Sequence, residues 1–239
     1  MNKYDQRGQK VNTQINAEVV NVNLDIDNAN AERILEAIAK TSFPTDPPII
    51  PAPVKDFTGR ESQINELKSK LAQGELVVGI SGGGGIGKTQ LARKLAIEIK
   101  ESFPDAQLEI DLHGTLEDPI SSYEAMRILL SNFYEKLPDD VNQLEVLYKR
   151  TFSTKKCLLL LDNAANPNQV RPLILSAPSS VIITSRTHFS LSEFGLKEPL
   201  RLNVFSPLDA QTLLKTSISK LQELHIEELD ELSRLCGYL

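Results

Sequence analysis

Eight consecutive residues, Gly82-Gly83-Gly84-Gly85-Ile86-Gly87-Lys88-Thr89, spell G-x-x-x-x-G-K-[ST]. Glycine reaches φ > 0 and lets the main chain approach a ligand without a Cβ clash. Successive N–H groups on such a loop form a nest for anions, reinforced by the positive end of a following helix. The chemistry implied is a grip on polyphosphate. Lys88 would reach the β- and γ-phosphates, and the Thr89 hydroxyl would hold Mg²⁺, which keeps several waters and so needs few protein ligands. The alternative is a glycine-rich turn with a stray lysine, and the flanks argue against it. Leu76-Val77-Val78-Gly79-Ile80 reads as a short apolar strand, and Gln90 to Lys100 carries apolar residues at helical spacing. Strand, glycine loop and helix in that order make a site for a nucleoside di- or triphosphate.

Two further groups could complete the site. Leu158-Leu159-Leu160-Leu161 leads into Asp162-Asn163. A carboxylate at the tip of a buried strand can hold Mg²⁺ opposite the Thr89 hydroxyl; an Asp-Asn pair alone also makes an ordinary turn. The phosphate loop upstream favours the metal role. Thr184-Ser185-Arg186 ends another apolar run. An arginine there can bond a γ-phosphate, a contact that vanishes with the diphosphate, so it can act as a sensor; the plain alternative is a solvated arginine. His113 also falls at a strand tip and reads as an ordinary loop histidine. His188 and His225 have no evident partners, and no Ser/His/Asp set is present.

The elements that must position these residues follow from periodicity. Helices are expected at 60–72, 87–100, 121–136, 141–152, 167–175, 208–218 and 225–239. Strands are expected at 76–81, 107–113, 157–161, 181–184 and 200–205. The run from Cys157 to Leu161 is apolar at every position, as in a strand buried on both faces, whereas Glu109, Asp111 and His113 alternate with Leu108, Ile110 and Leu112, which suits an edge strand. The alternation of strand and helix predicts an α/β fold with a parallel sheet and ligands at the carboxyl ends of its strands. Upstream, residues 1–43 form a separate Asn/Gln-rich segment, with period-two alternation at Val20, Val22, Leu24 and Ile26 and a helix expected at 29–40. Pro44, Pro47, Pro48, Pro51 and Pro53 make 44–53 a stiff linker. The nucleotide-binding domain is then expected at 54–205.

Bulk properties narrow the function classes. A chain of 239 residues can build one sizeable core plus an appendage. Its formal net charge of −6 gives no support for nucleic-acid binding. The two cysteines, Cys157 and Cys236, lack metal-ligand spacing, and Cys157 reads as a buried free thiol. The polar N-terminus is unlike a signal peptide, and the apolar runs are too short to span a bilayer. The expectation is a cytoplasmic protein without a membrane partner.

Taken as an ordered set, the pieces resemble the NB-ARC-type nucleotide-binding modules of the STAND class of signalling P-loop NTPases. The matching residues are Phe57-Thr58-Gly59-Arg60-Glu61, the loop Gly82 to Thr89, Leu158 to Asn163, and Ile183-Thr184-Ser185-Arg186. They continue through Leu208-Asp209-Ala210 with Leu213-Leu214 to Leu235-Cys236-Gly237-Tyr238-Leu239. Leu161-Asp162-Asn163-Ala164-Ala165 with Gln169-Val170-Arg171-Pro172-Leu173 looks closest to the bacterial branch. The resemblance implies a sheet of order 5-1-4-3-2, flanked by helices, with the start of a helical lid at 206–239. It implies that Thr58, Gly59 and Arg60 lie near the adenine, and that Gly82, Gly83, Gly84, Gly85, Ile86, Gly87, Lys88, Thr89 and Gln90 surround the phosphates. Thr89 and Asp162 would be the metal residues; Lys88, Asp162, Asn163 and Arg186 would act on the terminal phosphate. The family works as an ATP/ADP switch with Mg²⁺, with protein partners or self-association in the active state.

Two departures bear on that reading. Many relatives carry a second acidic residue after the aspartate; here it is Asn163, whose amide cannot accept a proton but can orient water. The expected chemistry is therefore slow hydrolysis, with a non-hydrolysing scaffold as the alternative. A small-molecule kinase is the third reading, and it lacks a convincing residue to activate an acceptor hydroxyl. The family's Gly-x-Pro motif would continue just past Leu239. The chain is expected to stop inside an apolar helix with no glycine cap, as a fragment of a longer protein would.

Overall fold

Three runs buried at nearly every position become the inner strands of a five-stranded parallel sheet: β1 (Val77–Ser81), β3 (Cys157–Ala164) and β4 (Ser180–Ser185). The computed structural model describes residues 50–196, 198–218, 221 and 225–238. The Asn/Gln-rich segment, the expected helix at 29–40 and the first four linker prolines but one (Pro51) lie outside them. β2 (Ala106–Asp111), whose alternate residues are polar, is one edge, and the two-residue β5 (Leu200–Arg201) is the other. The order is β2-β3-β4-β1-β5, which read from the other edge is 5-1-4-3-2. Every neighbouring pair is parallel.

Two apolar layers hold the sheet because strand side chains alternate between faces. On one face Leu159, Leu161, Val181 and Ile183 pack with Met126, Leu129 and Leu130 of α3 (Ser122–Leu130) and with Leu144, Tyr148 and Phe152 of α4 (Val141–Ser153). On the other, Val78, Ile80, Leu158, Leu160 and Ile182 pack with Ile64 and Leu67 of α1 (Glu61–Ala72) and with Leu91 and Leu95 of α2 (Lys88–Ile99). Each fully buried aliphatic side chain contributes about 1.5–3 kcal/mol. This double layer is why β3 tolerates no polar residue before Asp162. Ile50, inside the proline-rich stretch, is itself buried in the second layer.

Four helix or strand ends differ from expectation for local reasons. α3 stops at Leu130, because the Asn132 side-chain amide takes the carbonyls of Ile128 (3.2 Å) and Leu129 (3.0 Å). The expected helix at 167–175 is one α-turn, α5 (Pro167–Val170), followed by a 3₁₀ turn at Arg171–Leu173; Pro172 has no N–H to continue the α ladder. β5 is shorter than 200–205, since pairing with β1 ends once Leu202 N–H reaches the Ser81 carbonyl at 2.7 Å. Two helices follow, α6 (Pro207–Ser217) and α7 (Ile226–Leu235). α7 does have a glycine cap, contrary to expectation. Gly237 is left-handed (φ 68°), its N–H bonds the Arg234 carbonyl, and Tyr238 N–H bonds that of Ser233, each at 3.0 Å. Among the described residues no helix is long and apolar enough to cross a membrane.

Candidate functional site

The site is built where β1, β3 and β4 end, at the carboxyl edge of the sheet. The loop leaves β1, turns through left-handed Gly85 (φ 76°) and Gly87 (φ 92°), and enters α2. Gly87 caps α2 without a side-chain hydrogen bond, so the free N–H groups of the first turn face the cleft. Lys88 is the first residue of α2 and is 9% exposed. Its ammonium folds back beneath the loop and donates to the carbonyls of Gly82 (3.0 Å) and Gly83 (2.6 Å). Burial first, then repulsion from Arg186, holds Lys88 below the ordinary lysine range, against the opposing pull of Asp162.

Asp162 is also buried, and hydroxyls compensate it. Thr89 Oγ1 lies 2.8 Å from its Oδ1 and 3.0 Å from its Oδ2, and Thr184 Oγ1 donates to Oδ1 at 2.6 Å. Thr184 works twice, because the same hydroxyl accepts from Asn163 N–H at 2.9 Å. The strand bulges here: pairing with β4 shifts between Leu161 and Ala164, and Asn163 is left-handed (φ 54°). Gly114 N–H bonds the Asn163 carbonyl at 2.7 Å, and a Cβ on Gly114 would meet that same oxygen at 2.4 Å. The bulge turns the Asn163 amide sideways to donate to Asp111 Oδ1 at 3.2 Å.

Gly84 to Gln90, Asp162, Asn163 and Arg186 therefore line one cleft of about 340 Å³, together with Asp111 and Thr184. Gly82 and Gly83 open instead onto a larger neighbouring cleft of about 1160 Å³, which Arg186 also borders. Arg186 is exposed and packs against Gly84. Thr58, Gly59 and Arg60 line neither cleft. Gly59 and Arg60 lie against α6 and the segment before it: Gly59 approaches Asp209, and the Arg60 guanidinium stacks 4.0 Å over the Phe205 ring. Arg60 is left-handed (φ 72°), and its Nε and Nη2 are buried without a hydrogen-bond partner. Burial lowers its pKa, with the Asp209 charge opposing. A nearby strap links this segment to the loop helix, as Val54 N–H donates to Gln90 Oε1 at 3.0 Å.

The NB-ARC domain family matches residues 60–223. The chain belongs to that family. The NB-ARC chain is 33% identical over 200 residues to the regulatory protein AfsR of Streptomyces griseus and 32% identical over 204 residues to AfsR of Streptomyces coelicolor. These alignments cover 76% and 80% of the chain but 20% of each relative, so the chain spans about a fifth of their length. The crystal structure of Cdc6p from Pyrobaculum aerophilum superposes with a TM-score of 0.51 at 15% identity, over 76% of the chain and 52% of that protein. At that identity the likeness speaks for the P-loop NTPase fold alone, and that fold implies nucleotide binding.

The sequence assigns no role to three residues that line these clefts. Thr184 was visible only as part of a strand end. Asp111 registered as edge-strand polarity; the signal that finds it is its parallel register with Asp162, which needs the strand order. His188 does have a partner, with Nδ1 3.3 Å from Ser81 Oγ. His113 is exposed and stays outside both clefts.

Proposed function

We propose that this chain is the ATP/ADP-binding switch of a signalling STAND NTPase, reset by slow hydrolysis of ATP. The observation that carries the reading is the convergence of Lys88, Thr89, Asp162 and Arg186 on one cleft beside a helix start with no side-chain cap. The loop amides and Lys88 would grip the phosphates, with the ammonium exchanging two carbonyl partners for phosphate oxygens. Arg186 would bond the terminal phosphate and lose that bond on its departure. Thr89 and Asp162 offer adjacent hard oxygens that fit Mg²⁺ and would hold it; bound there, the ion would neutralise charge on the β- and γ-oxygens. Thr58, Gly59 and Arg60 would face the adenine, and the unpartnered donors of Arg60 support a polar ligand on that side.

The name of the AfsR relatives, regulatory proteins, supports a signalling role. Self-association or a protein partner in the active state would accompany that role. A scaffold that binds without turnover is the second reading, and Asn163 is what favours it. Nucleotide released from the purified chain, calorimetric titration with ADP and ATP in Mg²⁺ buffer, and the rate of a single turnover test the proposal together. The switch requires retained ADP, tight binding and slow cleavage. Binding without cleavage decides for the scaffold, and failure to bind either nucleotide refutes both.

A further inference from the structure

We infer that Asp111, at the tip of the edge strand, takes the place of the missing second acidic residue and positions and deprotonates the attacking water. The inference rests on the proposed ATP site. Two carboxylates line the cleft, Asp111 and Asp162. Asp162 is committed to the hydroxyls of Thr89 and Thr184. Asn163, next along the chain, carries an amide that holds a proton acceptor in place but cannot itself be one. That amide and the His113 N–H both donate to Asp111 Oδ1, at 3.2 and 2.8 Å. Both bonds go to the same oxygen. The carboxylate is thereby oriented, and Oδ2 accepts no hydrogen bond among the described residues. The other acid on this face of β2, Glu109, is consumed by a bidentate pair with Arg93, at 2.9 and 2.5 Å. The exposed position of Asp111 admits the water it must hold.

In the step proposed, water attacks the γ-phosphorus. The bond from that phosphorus to the β,γ-bridging oxygen breaks, its electron pair leaves on ADP, and the proton of the water passes to Asp111 Oδ2 and on to solvent. Asn163 and the His113 amide are positioning groups. Asn163 thus supports turnover from one residue away, by aiming a carboxylate contributed by a different strand.

The test compares the intact chain with Asp111→Asn, which keeps shape and folding and loses basicity. Single-turnover cleavage is expected to fall by at least about 100-fold, in line with loss of a general base. Affinities for ATP and ADP are expected to stay within about twofold, and the nucleotide retained on purification to shift from ADP toward ATP. Asp111→Glu is expected to recover part of the rate. Asn163→Ala, which removes one of the two donors that hold the carboxylate, is expected to lose about tenfold in rate at unchanged affinity. A wild-type rate in Asp111→Asn, a loss of affinity equal to the loss of rate, or a wild-type chain that holds ATP uncleaved would overturn the inference and leave nucleotide binding standing. A wild-type chain that binds neither nucleotide would overturn the site reading with it.

Discussion

Replacing Lys88 by methionine separates the role of this residue in the fold from its role toward a ligand. The buried ammonium donates to the Gly82 and Gly83 carbonyls at 3.0 and 2.6 Å. Its folded pKa is depressed, by burial first and by Arg186 next, from 10.5. The unfolded chain thus binds that proton more tightly than the folded one. This lysine therefore costs stability at low and neutral pH, and the cost fades as pH rises through a window that closes at 10.5. The two carbonyls that the variant leaves free belong to half-buried Gly82 and exposed Gly83, where water replaces the lost donor. The ligand-free variant is thus expected to melt no lower than wild type at pH 7, with any advantage disappearing toward pH 10. Nucleotide binding should move the other way. Charge-assisted bonds contribute about 1.5–3 kcal/mol each. Two of them to phosphate, ionised on both sides and so at the upper end, less the two ammonium–carbonyl bonds given up at the lower end, leave a net of about 3 kcal/mol, or about 150-fold in Kd. Calorimetry with ADP and ATP measures the second effect, and thermal melts across pH without nucleotide measure the first. An affinity within threefold of wild type, or a ligand-free variant that melts more than about 5 °C lower, would refute the reasoning.

Other changes test the frame around the cleft. Thr184→Val removes the donor to Asp162 and strands the Asn163 N–H, so urea titration should show a loss of about 2–4 kcal/mol; less than about 1 kcal/mol would mean that water takes over both roles. Gly114→Ala forces a Cβ to 2.4 Å from the Asn163 carbonyl oxygen and the Ala165 nitrogen, both backbone atoms, and should cost about 2–3 kcal/mol in the same assay and slow any turnover by displacing the Asn163 bulge. Burial pushes the Cys157 thiol up to about 11, so at pH 8 about one molecule in 1000 carries the thiolate. A native thiol titration should find exposed Cys236 reacting promptly and Cys157 only on unfolding; two fast thiols would contradict the packing of β3.

The chemistry most legible in the chain is that which local sequence must encode. A glycine loop between an apolar strand and an amphipathic helix announces phosphate binding, because positive φ, close backbone approach and a helix start are all properties of adjacent residues. The unbroken apolar run before Asp162 likewise announces a strand covered on both faces, which is where it lies. Element ends are less legible where one side chain or proline settles them, as Asn132 and Pro172 do, and the Gly237 cap escapes the sequence because an αL cap depends on a backbone angle. What the tertiary structure alone decided is which distant residues meet. Asp111 and Asp162 are 51 positions apart and become register partners only because β2 joins the sheet beside β3. Thr184 reaches both Asp162 and Asn163 only because β4 pairs on the other side of β3 and the strand bulges there. Arg60 meets Phe205 through the packing of two distant segments that no periodicity relates. Sequence patterns specify faces and periods, whereas contacts across a parallel sheet follow from strand order, and strand order is a property of the packed whole.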